Sequence, residues 1–400
     1  MEILAVTNSC SEKMYQTVCE MRKQKIVDPQ QKFFRLMLDG FASNEQVNVT
    51  AVSALPVSAS TVKQYIFHKT VEKTETGVNY YYLPFLNGKI SRYLSLIWSS
   101  GCYAKKWCKE HAGKDAWVIV DPLVPVISIP TRRAAQRRGI KVAAVVTDIP
   151  TLCTNMKGRK ENIIKRTFLS LYQKISDRDL HAYDAYIPLT ESINDVVNVN
   201  KKPYIVIEGF ADSRDTEISS VHENYIMYAG GVYEKYGVKT LVDAFISLNR
   251  QDVMLYIFGE GPYVDELKKV QALHSNVRYM GCVSPEEAVA YEKRALLLVN
   301  PRPTDEEFAK YSFPSKTMEY LLSGTAVVST RLPGIPEEYF EHMYSFSGYT
   351  EEAISAGLAS ILSQSKATLR AKGEDGHVFA MKKKNNVEMS KKVLELLRKV

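Results

Sequence analysis

Short apolar runs alternate with longer amphipathic segments along the first half of the chain. The run EILAVT (2–7) comes first, and residues 30–43 then show apolar side chains at helical spacing. Further apolar runs of strand length occupy 47–54, 78–85, 116–120 and 141–150. Near-continuous apolar runs between helices are typical of parallel strands that are covered on both faces. We therefore predict a parallel α/β domain over residues 1–210.

The alternation stops at the polar segment ADSRDTEISSVHEN (211–224), which follows neither the helical nor the strand period, and we interpret it as a linker. After it, the predicted strands are YIMYAGG, VMLYIFGEG, VRYMG, ALLLVNP and AVVST. They define a second α/β domain over 225–375. The amphipathic end of the chain, 376–400, is predicted to pack back on the first domain. The predicted fold class is α/β, with two Rossmann-like parallel-sheet domains that face a cleft.

One further segment of the first half has a clear helical period. Its apolar residues recur at positions i, i+3, i+4, i+7 and i+8, and they are Ile90, Tyr93, Leu94, Ile97 and Trp98. This spacing places them on one side of a helix. The segment is therefore predicted to form an amphipathic helix.

Composition and charge narrow the possible partners. The chain has 45% hydrophobic and 24% charged residues, which is ordinary for a folded protein and excludes a collagen-like or disordered chain. Its net charge of +7 is uneven, because residues 1–200 carry 27 basic and 18 acidic side chains, whereas 201–400 carry 25 and 27. Residues 101–175 alone carry 15 basic and 5 acidic side chains. With the amphipathic stretch MKGRKENIIKRTFLSLYQK, this segment favours contact with an anionic membrane surface. A solvated basic helix face is the simpler alternative.

Nucleic acid is not predicted as a partner, because no recognition motif accompanies the basic charge. The N-terminus lacks a signal-peptide pattern, and Asp121 and three prolines interrupt the most apolar stretch, 116–130. The cysteines lack metal-binding spacing, and they are Cys10, Cys19, Cys102, Cys108, Cys153 and Cys282. We therefore predict reduced thiols and a cytoplasmic protein that is peripheral on the inner face of the cell membrane.

Ligands of parallel α/β sheets bind at the carboxyl ends of the strands, so the loops there hold the candidate residues. Gly230 and Gly231 follow the first strand of the second domain, where the absence of side chains permits close approach to a phosphate. Ser315 and Lys316 begin a predicted helix after the loop YSFP. A helix N-terminus and a lysine together suit a diphosphate.

Four segments of the second half, in order, resemble the donor domain of family 4 glycosyltransferases, which have the GT-B architecture. They are YAGGVYEKYGVKTLVDAF, LYIFGEGPYVDEL, NVRYMGCVSPEEAVAYEKRA and FPSKTMEYLLSGTAVVST. The last segment is similar to a subgroup from bacterial surface-polysaccharide clusters. The resemblance is close over about 225–340 and loose over the first half. It implies transfer of a hexosyl unit from a nucleotide-diphosphate sugar to a glycan or lipid-linked acceptor, with retention of anomeric configuration.

The resemblance also implies roles for individual residues. Glu319 corresponds to the glutamate that binds the ribose, Lys316 to a group that stabilises the leaving diphosphate, and Cys282 and Val283 to the loop that reads the nucleobase. The sequence departs from the family at three positions: the phosphate-binding arginine and lysine fall on Gly231 and Tyr236, and the first of two family glutamates falls on Tyr311. Lys235 and Arg302 are the candidate replacement cations.

The first domain supplies the candidates for acceptor chemistry. Asp148 ends the run VAAVVT, where a carboxylate could orient or deprotonate an acceptor hydroxyl, although it could equally cap a helix. Glu191 is a weaker candidate of the same kind. Asn8 and Ser9 follow the first strand, where family members have a glycine-rich acceptor loop. Asp148 and Lys316 are thus the predicted catalytic residues.

Other chemistries have little support in the sequence. No cluster of ligands has metal spacing, no nucleophilic triad is recognisable, and the DRD sequence at 177–179 lies among helical residues, so neither a metal nor another cofactor is predicted. A dehydrogenase is disfavoured, because neither glycine loop has the G-x-G-x-x-G spacing with a later acidic residue. Two alternatives remain open: a sugar-nucleotide epimerase of the same fold, and a non-catalytic partner subunit of an active glycosyltransferase.

Overall fold

The computed structural model describes residues 1–22, 29–149, 178–219 and 221–400. The chain divides into two compact units. The first comprises Met1–Phe210 and Asn386–Val400, and the second comprises Ala211–Asn385. The polar segment 211–224 therefore begins the second unit, which continues through the residues before the last helix.

The first unit is built on a seven-stranded sheet with the order β4-β5-β2-β1-β7-β8-β9 and a separate antiparallel pair, β3-β6. Its strands are β1 (Glu2–Thr7), β2 (Asn48–Ser53), β3 (Ile66–Phe67), β4 (Thr70–Lys73), β5 (Asn79–Tyr82), β6 (Phe85–Leu86), β7 (Ala116–Val120), β8 (Lys141–Val146) and β9 (Ala185–Pro188). Its helices are α1 (Glu12–Arg22), α2 (Pro29–Ala42), α3 (Ser91–His111), α4 (Pro125–Gln136), α5 (Glu191–Val197) and, from the end of the chain, α12 (Asn386–Lys399).

The main sheet is parallel except at one edge, where β4 pairs antiparallel with β5. This confirms the predicted parallel sheet. The edge strand β4 was not predicted, because the sequence TVEK is mostly exposed and has no apolar run. The predicted strand 78–85 forms two strands instead of one, since Pro84 between them has no N–H group to donate to a ladder.

The second unit contains a six-stranded sheet that is parallel throughout, with the order β12-β11-β10-β13-β14-β15. Its strands are β10 (Tyr225–Ala229), β11 (Met254–Phe258), β12 (Val277–Gly281), β13 (Leu297–Asn300), β14 (Val327–Ser329) and β15 (Tyr344–Ser345). Its helices are α6 (Val238–Ser247), α7 (Val264–Leu273), α8 (Pro285–Arg294), α9 (Ser315–Leu322), α10 (Glu351–Leu362) and α11 (Lys366–Lys383). The order of these elements confirms the predicted α/β architecture of this half.

Buried apolar side chains of the strands and of α6 and α10 form the core of the second unit. Strand β10 is buried along its whole length, as expected for a central strand with helices on both faces. In the first unit, α12 packs on α2. A Cβ atom on Gly40 of α2 would lie 2.2 Å from the Asn386 carbonyl oxygen, so glycine is required where the two helices meet. The Ser390 hydroxyl donates to the Met37 carbonyl, 3.1 Å away, at the same contact.

Within the described ranges, no helix combines the length and the apolar character needed to cross a membrane. The cysteines that the structure describes are free thiols, and Cys10 and Cys108 are buried among them. Burial raises the pKa of the Cys108 thiol to about 11.

Candidate functional site

Three neighbouring loops of the second unit lie edge to edge at the carboxyl ends of its strands. The Gly230 N–H group donates to the Phe258 carbonyl over 3.1 Å, and the Gly259 N–H group donates to the Gly281 carbonyl over 2.9 Å. Gly259 has φ +121°, and a Cβ atom there would lie 1.8 Å from the Gly230 carbonyl oxygen. Only glycine fits this position. The backbone after β10 is thus held directly against the loop after β11.

A second close approach positions two cations. Gly237 has φ +79°, and a Cβ atom on it would lie 2.1 Å from the Pro301 carbonyl oxygen. The next residue, Arg302, places its guanidinium carbon 4.7 Å from the centre of the Tyr236 ring, and the Lys235 ammonium lies 5.3 Å from the same ring. Aromatic faces attract cations at such distances. Tyr236, at the position where the resemblance expects a lysine, thus lies close to both candidate replacement cations.

Tyr228, at the end of β10, connects this group to the helix N-terminus beyond. Its hydroxyl donates to the Gly231 carbonyl over 2.9 Å. Burial raises the pKa of Tyr228 far above its usual value, while the positive charges of Arg302 and Lys316 act in the opposite direction. Both cations are therefore near enough to affect one hydroxyl beside the glycine loop. The Tyr228 hydroxyl thus bonds the predicted residue Gly231, and the charges of the predicted residues Arg302 and Lys316 act on it.

Lys316 lies in the first turn of α9 and is paired with two carboxylates. Its ammonium nitrogen is 2.8 Å from Glu292 Oε1 of α8, and it also contacts Glu319 one turn further along α9. The sequence predicted Lys316 and Glu319 as separate donor-binding groups. In the structure they form one cluster with a third residue, Glu292, which pattern reasoning did not identify.

Burial dominates the electrostatics of this cluster. Glu292 is completely buried, and this burial, together with the negative charge of Glu319, raises its pKa to about 8. For Lys316, burial alone would lower the pKa, but the two carboxylates raise it overall. Glu292 Oε2 is buried and has no hydrogen-bond partner within the described part of the chain. At neutral pH, we expect a neutral Glu292 beside the Lys316 ammonium.

Tyr320, next to Glu319, fixes α9 against the central strand. The Ala229 N–H group donates to the Tyr320 hydroxyl over 2.8 Å, and the Tyr320 side chain is almost completely buried. Because Ala229 immediately precedes Gly230, the same contact connects the second turn of α9 to the glycine loop. Helix α9 is thereby attached to the strand end that leads into the Gly230–Gly231 loop.

The remaining donor-side candidates, Ser315, Cys282 and Val283, are not part of the cluster of Lys316, Glu319 and Glu292. Ser315 is the first residue of α9 and is exposed. Cys282 and Val283 follow β12, two strands away from β10 in the sheet order, and the Cys282 thiol is exposed. They occupy the loop position that the resemblance assigns to nucleobase contact, and that role stays a prediction.

In the first unit, the two candidate residues of the loop after β1, Asn8 and Ser9, have different surroundings. Ser9 is fully buried, and its N–H group donates to the Thr7 hydroxyl over 3.0 Å. Asn8 lines a cavity, and the Gln31 side-chain amide donates to the Asn8 carbonyl over 2.9 Å. Burial of Ser9 gives it a structural environment, so Asn8 is the accessible member of the pair.

The two carboxylate candidates also follow strands of the first sheet. Asp148 is half-buried after β8, and its carboxylate accepts from the Ile149 N–H group over 2.7 Å. Glu191 begins α5 after β9, is exposed, and accepts from the Tyr204 hydroxyl over 3.1 Å. Thr190 caps α5 by accepting from the Ile193 N–H group. Both carboxylates lie at the carboxyl edge of the sheet.

Residues 150–177 lie outside the described residues, and so do the amphipathic stretch MKGRKENIIKRTFLSLYQK, Cys153 and the first aspartate of the DRD sequence. Across the ranges that the structure does describe, no group of three or more His, Cys, Asp or Glu side chains could hold a metal ion.

Three functional-site residues had no clear signal in the sequence. Glu292 is one of several charged residues in PEEAVAYEKR, and nothing in its spacing marks it as the buried one. Tyr228 and Tyr320 belong to apolar patterns that predict only burial. Their hydroxyl groups matter because of partners on other elements, which a local pattern cannot reveal.

Part of the second unit is similar to a known protein family. Residues 223–346 match the family described as Glycosyl transferases group 1, and this stretch contains β10 to β15 and the Lys316 cluster. The matched stretch lies within the second unit, and this similarity supports a glycosyltransferase. No curated protein matches the chain.

Solved structures resemble the whole chain. Sucrose-phosphate synthase from Thermosynechococcus elongatus has 13% identity and a TM-score of 0.66, with 100% of this chain and 99% of that chain covered. Anabaena HepE in complex with UDP has 12% identity and a TM-score of 0.62, with both chains covered completely. The E. coli trehalose-6-phosphate structure bound with UDP-2-fluoro glucose has 8% identity and a TM-score of 0.66, with coverages of 100% and 99%. The two-sheet architecture is therefore the GT-B fold, as the resemblance implied.

Proposed function

We propose that this protein is a glycosyltransferase that moves a hexosyl unit from a nucleotide-diphosphate sugar to a glycan or lipid-linked acceptor. The second unit binds the donor and the first unit binds the acceptor. The observation that carries the proposal is the cluster of Lys316, Glu319 and Glu292 at the N-terminus of α9, inside the matched glycosyltransferase domain.

The cluster has the chemistry that a nucleotide sugar requires. Glu319 can accept hydrogen bonds from the two vicinal hydroxyls of a ribose, and its ion pair with Lys316 holds that carboxylate in place. The N-terminus of α9 and the cations Arg302 and Lys235 offer positive charge for the diphosphate. During transfer, Lys316 and these groups stabilise the negative charge that develops on the leaving diphosphate.

Backbone rather than side chains forms the surface on which the phosphates lie. Gly230 and Gly231 add no side chain of their own at the end of β10, and the loop after β12, with Cys282 and Val283, is the candidate nucleobase contact. Several structural neighbours are complexes with UDP or a UDP sugar, which supports UDP as the first nucleotide to test. The proposal requires no metal.

On the acceptor side, Asp148 is the candidate general base, and Asn8 and Glu191 are the candidate acceptor contacts. On the basis of the family resemblance, the proposal also includes retention of anomeric configuration and a role in surface-polysaccharide synthesis. A peripheral position on an anionic membrane, at the cytoplasmic face, fits the basic charge of residues 101–175.

Two other functions are distinguishable from this one. An epimerase of the same fold would convert the nucleotide sugar without an acceptor. A non-catalytic partner subunit would be consistent with Gly231 and Tyr311 at positions where family members have charged groups, but it would not need the Lys316–Glu319 pair.

The decisive measurement is thermal-shift screening of the full chain with UDP, GDP, CMP and NAD. We expect stabilisation by one nucleoside diphosphate and none by NAD. Stabilisation by NAD alone would contradict the transferase assignment, and no response to any nucleotide would favour the partner subunit. Product analysis with the stabilising sugar nucleotide in the absence of acceptor separates transfer from epimerisation.

A further inference from the structure

The solvent-facing side of the first two turns of α3, with the residue before the helix, is apolar. Ile90 and Trp98 are 72% and 70% exposed, and Tyr93, Leu94 and Ile97 between them are also exposed. These are the five residues whose spacing predicted an amphipathic helix. The helix packs against α4 with a buried side that includes serine and alanine: Leu96, Ser99, Ser100, Ala104, Trp107 and Cys108. A contiguous exposed apolar surface of this kind marks an interaction site.

The charge around this face indicates the kind of partner. Residues 89–109 contain five basic and no acidic side chains. Lys105 and Lys109 are exposed and follow Trp98 by seven and eleven residues, which places them on the same side of the helix. Exposed apolar side chains with tryptophan and tyrosine, continued by lysines along one helix face, suit the surface of an anionic bilayer.

A cavity of about 170 Å³ lies beside this face, at the carboxyl ends of β1, β2 and β7. Arg92, Tyr93 and Leu96 of α3 line one side of it, and Asn8 after β1 lines another. Tyr93 therefore belongs both to the exposed face and to the cavity wall. A molecule held at the membrane surface by its apolar part could place its head group in this cavity.

One nitrogen of the Arg92 guanidinium has no hydrogen-bond partner among the described residues. Arg92 Nη2 donates to the Leu55 carbonyl over 3.1 Å, and its guanidinium lies 4.7 Å from the centre of the Phe85 ring. Its Nη1 is buried without a hydrogen-bond partner, and no described carboxylate pairs with it. Asn8 Oδ1 is likewise buried and unpartnered among the described residues. An arginine withdrawn from water without an anion is costly, and its planar fork matches a phosphate.

We propose that the cavity lined by Asn8 and Arg92 binds the phosphate group of a membrane lipid that serves as the acceptor, while the exposed face of α3 docks on the anionic bilayer. Only the role of this lipid as the acceptor rests on the proposed function. Arg92 pairs with the phosphate oxygens, the Asn8 amide orients the head group, and Tyr93 and Leu96 contact the first carbons of the lipid chain.

The docking surface is tested by flotation of the full chain with vesicles of phosphatidylcholine, with or without 30% phosphatidylglycerol. We expect the protein to float with the anionic vesicles and the Leu94→Ser/Trp98→Ser variant to lose at least tenfold in bound fraction. Leu273→Ser, at an 81% exposed leucine of α7, is the matched control and is expected to float normally. Equal flotation of the double variant, or dimerisation through this face without vesicle binding, would overturn the docking surface.

The cavity is tested by titration calorimetry with farnesyl phosphate, farnesol and inorganic phosphate. We expect farnesyl phosphate to bind at least tenfold more tightly than either of the others, and Arg92→Met to weaken it by a further factor of ten. Arg278→Met, at an exposed arginine of β12, is the control. Should Arg92→Met fail to fold, Asn8→Asp replaces it, because a carboxylate there repels a phosphate or occupies Arg92.

Three results would overturn the cavity assignment: unchanged binding of farnesyl phosphate by a folded Arg92→Met or Asn8→Asp protein, inorganic phosphate bound as tightly as farnesyl phosphate, or farnesol bound as tightly as farnesyl phosphate. UDP binding is measured on the same samples. Intact UDP binding with no farnesyl phosphate binding refutes this inference alone, whereas loss of all nucleotide response refutes the proposed function.

Discussion

The Lys316 ammonium lies 2.8 Å from Glu292 Oε1, although the two residues belong to different helices and Glu292 is fully buried. Breaking such a pair leaves an uncompensated group in the interior, whereas replacing both partners does not. The pair therefore connects the donor site to the stability of the second unit. Variants at Lys316 must be interpreted with that connection in view.

We predict that Lys316→Met abolishes the stabilisation by UDP and lowers the free energy of unfolding by about 1–3 kcal/mol, since the buried, neutral Glu292 loses its hydrogen-bond partner. The double variant Lys316→Met/Glu292→Leu, which leaves no polar group without a partner at this buried position, should recover much of the stability but none of the nucleotide response. Urea denaturation and thermal shift give the two readings. Lys269→Met, at an exposed ion pair with Glu266, is the control and is expected to leave the stability almost unchanged.

Glu292 also predicts a pH dependence. The usual pKa of a glutamate, 4.5, is raised to about 8 in the folded protein, because burial disfavours the charged form. Between about pH 5 and pH 8 the unfolded chain loses this proton while the folded chain keeps it, so stability falls as the pH rises. The Glu292→Gln variant has no titratable group at this position, so its stability does not depend on this proton.

We therefore expect the wild type to lose stability relative to Glu292→Gln as the pH rises from 5 to 8, with no further divergence above about pH 9. Urea denaturation across this range measures the difference. Glu266→Gln, at an exposed surface pair, should run parallel to the wild type. A constant difference between the wild type and Glu292→Gln would mean that Glu292 is ionised in the folded protein.

The assignment of Glu319 to the ribose predicts a specific coupling between residue and ligand. Glu319→Gln should weaken UDP binding by about tenfold or more, because it removes a charge-assisted hydrogen bond worth roughly 1.5–3 kcal/mol. In the wild type, 2′-deoxy-UDP should bind more weakly than UDP. In Glu319→Gln that discrimination should shrink. Titration calorimetry with both nucleotides tests this, and equal discrimination in the two proteins would exclude Glu319 from the ribose site.

The sequence predicted the architecture better than it predicted the site. The strands were recognisable because both faces of each sheet are covered, which requires nearly continuous apolar residues such as those of β7 and β10. The Lys316 cluster depends on a carboxylate from α8 reaching a lysine of α9, and no local period encodes which of several glutamates turns inward. The apolar stripe of α3 shows the reverse difficulty. Its spacing correctly predicted a helix, but spacing alone did not reveal that Trp98 and Leu94 face solvent.

The last prediction concerns the close approach of Gly259 to Gly230. A Cβ atom at Gly259 would lie 1.8 Å from the Gly230 carbonyl oxygen, and the backbone there has φ +121°, so Gly259→Ala meets both a clash and an unfavourable conformation. We expect it to lower the free energy of unfolding by more than 2 kcal/mol, roughly the cost of a strained backbone plus displacement of the adjoining loop. Gly113→Ala is the control, because Gly113 has φ +77° with open space around it and should lose only about 1–2 kcal/mol. Because the clash displaces Gly230, Gly259→Ala should also reduce UDP affinity, whereas Gly113→Ala should not. Urea denaturation and UDP titration of both variants measure these effects, and a Gly259→Ala protein with wild-type UDP affinity would show that the nucleotide does not lie on the Gly230 loop.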